Sequence, residues 1–201
     1  MSPRIINVFN LLEPGGILIF PFTFFFADII TEVYGYKQAR QLVWVSVFCL
    51  MFFVTVSNIC MLIPSAPIDR DGGAFLTVFR DYPKALLGIG SATIVGFLTN
   101  NYILAKLKIL AKGKYYWIRS IASTSIGHAI FSFTWAIIFY SGVMSFYPIC
   151  KIAFNIYGLK ILSEILLTPF SAIIAAWIKS KEGIDVYDRN TNFTFFSLKI
   201  D

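Results

Sequence analysis

Apolar residues gather along the chain into five long blocks, about Gly16–Val33, Leu42–Ile63, Ala85–Ala105, Ile118–Ser141 and Tyr157–Ile178. Each is close to the roughly 20 helical residues that cross a hydrocarbon core of about 30 Å. The pattern predicts an all-α polytopic transmembrane helix bundle with five spans. Residues 1–182 form one membrane domain in this reading, and 183–201 a short polar tail. The connections read "YGYKQARQ", "PSAPIDRDGGAFLTVFRDYP", "KLKILAKGKYYW" and "GVMSFYPICKIAFN". The second and fourth hold apolar stretches suited to resting on the membrane surface.

Composition sharpens this picture. The chain is 57% hydrophobic and 14% charged, where a soluble domain is about half apolar and a quarter charged. Its net charge of +6 lies in patches, so it reads as a topology signal, and no direct nucleic-acid partner is expected. Lys37 and Arg40 flank the first loop, Lys106, Lys108, Lys112, Lys114 and Arg119 crowd the third, and Lys179 and Lys181 follow the last span. The second loop mixes Arg70, Arg80 and Lys84 with Asp69, Asp71 and Asp81, and the fourth has only Lys151. Basic residues are retained on the cytoplasmic side. Loops one and three and the C-terminus are therefore expected in the cytoplasm. This leaves the first residues outside without a signal-peptide pattern in "MSPRIINVFNLLEPGG", and the expectation is that a further helix precedes this start. Cys49, Cys60 and Cys150 lack metal-ligand spacing and read as packing residues; no metal and no cofactor are expected.

Several polar side chains interrupt the apolar blocks, each at a cost of roughly 2.5 to 3.5 kcal/mol at bilayer depth. Asp28 and Glu32 stand four apart on one helical face. Either both line a cavity, or Glu32 lies at the interface and pairs with Lys37 or Arg40. Pro21 would deprive the Ile17 carbonyl of its helical donor, which makes either a broken helix or a simple kink. From Pro21 to Tyr34 a helix would run only about 20 Å. Ser120, Thr124, His128 and Ser132 recur at every fourth position as a polar stripe around the only histidine. That stripe serves a ligand or an interhelical hydrogen bond. Lys160 and Glu164 are again four apart, with Thr168 and Pro169 following, while Gly88, Ala92 and Gly96 form a small-residue groove for helix packing. Asn100 and Asn101 offer hydrogen bonds to a ligand or a neighbouring helix. One histidine supports no convincing catalytic triad, and "DRDGGAF" lacks the paired-acid spacing of a metal-dependent phosphotransferase. An enzyme is disfavoured.

The blocks "FPFTFFFADIITEVYGYKQAR", "NNYILAKLKILAKGKYYWIRSIASTSIG" and "YGLKILSEILLTPF" followed by "KSKEGIDVYD" cover most of the chain. In them the sequence resembles the queuosine precursor transporter family of bacterial membrane proteins. The resemblance implies a six-helix importer in the bacterial inner membrane. Its substrates would be 7-deazaguanine bases such as 7-cyano-7-deazaguanine and its aminomethyl relative, destined for queuosine in tRNA. Family members carry a full helix before the "LLEPGG"-like turn, and a polar amide or acid followed a turn later by an acid where this chain has His128 and Phe131. A carboxylate can accept the ring N–H and exocyclic amine of such a base together. Asp28 and Glu164 are the expected base-recognising residues, with Glu32, Asn101, Thr124, His128 and Lys160 as secondary candidates. The expected partners are this small molecule and the bilayer, and a homodimer is left open. Two other classes stay in play: a substrate-binding membrane subunit of an ATP-energised vitamin-type uptake system, and a structural membrane protein whose polar stripes only lock helices together.

Overall fold

The computed structural model describes residues 5–8, 11–14, 16, 19–64, 72–79 and 82–196. Strands β1 (Ile5–Val8) and β2 (Leu11–Pro14) pair as an antiparallel hairpin, with Ile5 opposite Pro14. Five helices follow: α1 (Phe20–Leu62), α2 (Gly72–Phe79), α3 (Tyr82–Leu110), α4 (Tyr116–Tyr140) and α5 (Phe146–Glu182). Four of them, all but α2, are long and apolar enough to cross a membrane.

The expected five spans therefore appear as four such helices, because the first two blocks share α1. Its 43 residues are interrupted at Gly35, whose φ of 84° and ψ of 175° lie outside helical geometry. The predicted loop "YGYKQARQ" shrinks to this single break. Before it, contacts with α3 advance along both chains, from Phe24 against Phe97, through Asp28 with Asn100, to the Glu32 carbonyl with Lys108. After it, Tyr36 returns to Tyr102 and Val43 joins the cluster of Phe24, Ala27 and Leu98. We call the two parts the first leg (Phe20–Tyr34) and the second leg (Tyr36–Leu62).

Pro21 also takes a different place from the one expected. It occupies the first turn of α1, where the missing N–H has no intrahelical partner to lose, and so it starts the helix and does not break it. The first leg consequently spans roughly 22 Å at about 1.5 Å per residue, short of a full crossing. The last helix begins at Phe146, so much of the predicted fourth loop is helical. Part of the second loop, with Asp69, Arg70, Asp71, Arg80 and Asp81, lies outside the described residues.

Residues 183–196, which follow the last helix, pack against the bundle. Gly183, in the left-handed conformation, ends α5. The Val186 N–H then donates to the Val33 carbonyl at 3.1 Å, and the Asp188 carboxylate accepts the Tyr36 N–H at 2.9 Å. These two bonds satisfy the backbone groups left open on either side of Gly35. Arg40 donates to the Asn192 and Thr194 carbonyls, and Trp44 to that of Phe195. The tail thus lies along the start of the second leg.

The small-residue groove of α3 meets α4, as its spacing predicts. Gly88 faces Trp135 and Phe139, and Gly96 lies against Gly127 and Phe131. A β-carbon on Gly127 would come within 2.7 Å of the Asn100 Cβ and 3.0 Å of the Gly96 carbonyl oxygen. Only hydrogen fits there, and this close approach brings Asn100 of α3 within 3.2 Å of Thr124 of α4. Gly127→Ala is expected to push the helices apart and lower stability by about 1–3 kcal/mol. Thermal unfolding in detergent checks this, with Gly158→Ala, whose added carbon meets nothing within 4 Å, as the control.

Candidate functional site

One face of the first leg organises the interior. Phe20, Phe24, Asp28 and Glu32 follow one another at intervals of four, so they share one side of the helix. Each meets a different layer of α3, α4 and α5.

The Phe20 layer is aromatic and cationic. The Lys160 ammonium lies 4.2 Å from the Phe20 ring centre and 4.0 Å from that of Phe131, a geometry in which the ring quadrupoles attract the charge. In the next layer Phe24 packs on Phe97 at 3.9 Å and on the His128 imidazole at 4.0 Å. Neither ring nitrogen of His128 has a hydrogen-bond partner, and the hydroxyl of Ser132, one turn further along α4, has none either.

The Asp28 layer is a hydrogen-bonded cluster. Asp28 Oδ1 accepts from the Asn100 amide at 2.6 Å, and Oδ2 accepts from Ser120 at 2.5 Å and Thr124 at 3.1 Å. Glu164 of α5 adjoins it through Ser120, whose Oγ is 3.4 Å from Glu164 Oε1. Among the described residues Glu164 Oε2 has no partner, nor does either amide atom of Asn101. Pro169, inside α5, cannot donate to the Ile165 carbonyl, and hydroxyls bond backward around it: Thr168 to the Glu164 carbonyl and Ser171 to that of Thr168. Tyr116 reaches Ser171 from α4 at 3.2 Å.

The Glu32 layer is ionic. Arg119 grips Glu32 with two bonds of 2.7 and 3.1 Å, and Lys179 adds a third at 2.6 Å. The Glu32 carbonyl accepts from Lys108, which also binds Asp185 of the tail at 2.6 Å. Lys179 completes the ring with a 2.9 Å bond to Asp185. Burial pushes the Asp185 carboxyl up, but Lys108 and Lys179 outweigh it and hold the group below its ordinary range.

All seven residues expected from the sequence are buried, with side chains between 0 and 3% exposed. The structure gathers Asp28, Thr124 and Glu164 into one cluster, with His128 and Lys160 in the layers next to it. Asn101 is buried one position beyond the Asn that actually binds Asp28. Glu32 stands apart, committed to Arg119 and Lys179 and not to Lys37 or Arg40. Arg119, Lys108 and Lys179 entered the sequence reading only as topology charges, and Ser120 and Asn100 only as members of a stripe and a pair.

Asp28, Thr124 and Glu164 are buried, while Lys179 and Asp185 at the edge of the Glu32 layer are 22% and 42% exposed, so a molecule reaches the Asp28 and Glu164 layer only when the groups around it part. Removing one partner from a buried ion pair leaves the other charge stranded, at a cost of about 3–5 kcal/mol. Glu32 keeps Lys179 when Arg119 is removed, so Arg119→Ala is expected to lose less than that in detergent unfolding, and Arg119→Ala with Lys179→Ala, which does strand Glu32, to reach it.

Comparison with known proteins bears on what this interior serves. The chain is 22% identical over 180 residues, 89% of its own length and 79% of the relative's, to the "Probable queuosine precursor transporter" of Bacillus subtilis (strain 168). No solved structure matches. A family model described as "Putative vitamin uptake transporter" matches residues 14–174, most of the chain. With its long apolar helices and buried polar layers, the chain is a multi-pass membrane protein and belongs to that transporter family.

Proposed function

We propose that this protein imports 7-deazaguanine precursors of queuosine, such as 7-cyano-7-deazaguanine, across the bacterial inner membrane. The observation that carries the proposal is the layer of Asp28 and Glu164, a buried polar cluster between apolar helices that, among the described residues, retains an unpartnered carboxylate oxygen on Glu164 and an unpartnered amide on Asn101. A polar atom buried without a partner costs about 1–3 kcal/mol, which a ligand carrying the complementary donors and acceptors restores. The Phe24 and His128 rings in the adjoining layer offer flat faces to a flat base. The relative's name supports the substrate class.

In this reading the two legs of α1 both lie in the membrane, which makes five membrane-embedded helical segments. The Glu32 layer faces the cytoplasm, because Lys112, Lys114 and Lys181 gather at the same end. The C-terminal tail is then cytoplasmic, and the ionic ring is the barrier that parts when substrate is released inward. Transport, not chemistry, is the output.

A second reading is a vitamin-type capture subunit that needs a separate ATPase; the family's description names vitamin uptake. The two readings differ in whether the chain works alone.

The test is rescue of queuosine in the tRNA of bacteria that cannot make the precursor and lack their own importer. They express this chain and receive limiting 7-cyano-7-deazaguanine. Restored queuosine is expected, with loss of it in Asp28→Asn and Glu164→Gln variants present in the membrane at wild-type amount. Uptake by the purified chain alone in liposomes favours the importer over the capture subunit. Absence of rescue with the protein present in the membrane would overturn the substrate.

A further inference from the structure

The two carboxylates of the central layer are not equivalent. Asp28 receives a donor at each oxygen, Asn100 at 2.6 Å and Ser120 at 2.5 Å, and shares the single Thr124 proton, at 3.1 Å, with Asn100 Oδ1 at 3.2 Å. Both of its oxygens are engaged. Glu164 receives almost nothing: Oε2 has no partner, and Oε1 has only the hydroxyls of Ser120 and Thr168, each at 3.4 Å. Each hydroxyl has one proton to give. Ser120 lies far closer to Asp28, at 2.5 Å, and Thr168 to the Glu164 backbone carbonyl, at 2.7 Å. Those shorter bonds take the protons, and both Glu164 oxygens are left open at 1% residue exposure.

We infer that Glu164, in its ionised form, is the residue that reads the donor edge of the substrate, accepting the ring N–H and the exocyclic amine with its two oxygens, and that Asp28 is a positioning residue which does not touch the base. This rests on the proposed deazaguanine substrate and assigns the roles within its site. Asp28 acts through Ser120. By drawing the Ser120 proton to itself, it keeps the nearest hydroxyl donor away from Glu164 Oε1 and leaves that carboxylate available. Asn100 and Thr124 hold Asp28 in the orientation that does so. A carboxylate kept free of internal donors is a selective acceptor, because a ligand without the matching N–H groups leaves it unpaired.

The test is a comparison of two ligands against three proteins. Affinities of the full-length chain in detergent are measured for 7-cyano-7-deazaguanine and for the analogue with hydrogen in place of the exocyclic amine. The wild type is expected to favour the amine-bearing base by about 10- to 100-fold, the span of a hydrogen bond to a charged group. In Glu164→Gln that ratio should collapse, through weaker binding of the amine-bearing base and little change for the analogue. In Asp28→Asn the Ser120 hydroxyl is released toward Glu164 Oε1, so both ligands should weaken and the ratio should fall part of the way, less than in Glu164→Gln. A purely structural role for Glu164 would weaken both ligands equally.

A wild-type ratio retained in Glu164→Gln, or a ratio that falls further in Asp28→Asn than in Glu164→Gln, would overturn the assignment while leaving the substrate intact. Failure of the wild type to bind either base would instead overturn the substrate, and the assignment with it. Should Glu164→Gln not fold, Glu164→Asp, which keeps the charge but withdraws it by one methylene, is read by the same ratio.

Discussion

A carboxylate taken out of water must find donors, and Glu32, Asp28 and Glu164 meet that demand to three different degrees. Glu32 is held by two cations, Arg119 and Lys179. Asp28 is held by neutral hydrogen bonds from an amide and two hydroxyls. Glu164 is scarcely held at all. Desolvating a charge costs several kcal/mol even after relaxation, so the helices are arranged around these groups: each layer of α3, α4 and α5 contributes what the first leg of α1 requires at that depth. The gradient from saturated to unsatisfied runs from the basic end of the bundle toward its centre.

Glycine makes the arrangement possible. The absence of side chains on Gly96 and Gly127 lets α3 and α4 approach closely enough for Asn100 and Thr124 to share a hydrogen bond beside Asp28. Were these two helices separated by ordinary side chains, Thr124 of α4 could not reach Asn100 of α3 at 3.2 Å. Packing and polarity are therefore one design, in which the dry contact sets the spacing of the wet one.

Much of this interior was legible in the sequence, because residues four apart on a helix share a face whatever the helix packs on. The pairing of Asp28 with Glu32, the stripe from Ser120 to Ser132 and the Gly88–Gly96 groove all follow from that rule. Long-range partnership does not. Arg119 and Lys179 lie 87 and 147 positions from Glu32, and a basic residue near a loop obeys the topology rule equally well whether it faces water or a buried acid. Asn100 and Asn101 differ by about 100° of helical rotation, which an isolated pair of identical residues cannot resolve. The start of α1 was misjudged because Ile19 precedes it with no side-chain cap, so nothing marked Pro21 as a first-turn residue.

The caps at Gly35 carry a consequence for biogenesis. The amide of Tyr36 waits for a carboxylate 152 positions later, and the carbonyl of Val33 for the amide of Val186. Chains are made and inserted from the N-terminus, so the corner between the two legs enters the membrane with both groups unsatisfied. It stays so until Val186 and Asp188 have been made and the segment after α5 has folded back. That segment acts as a latch on the first helix, and the corner is closed by residues synthesised some 152 positions after it.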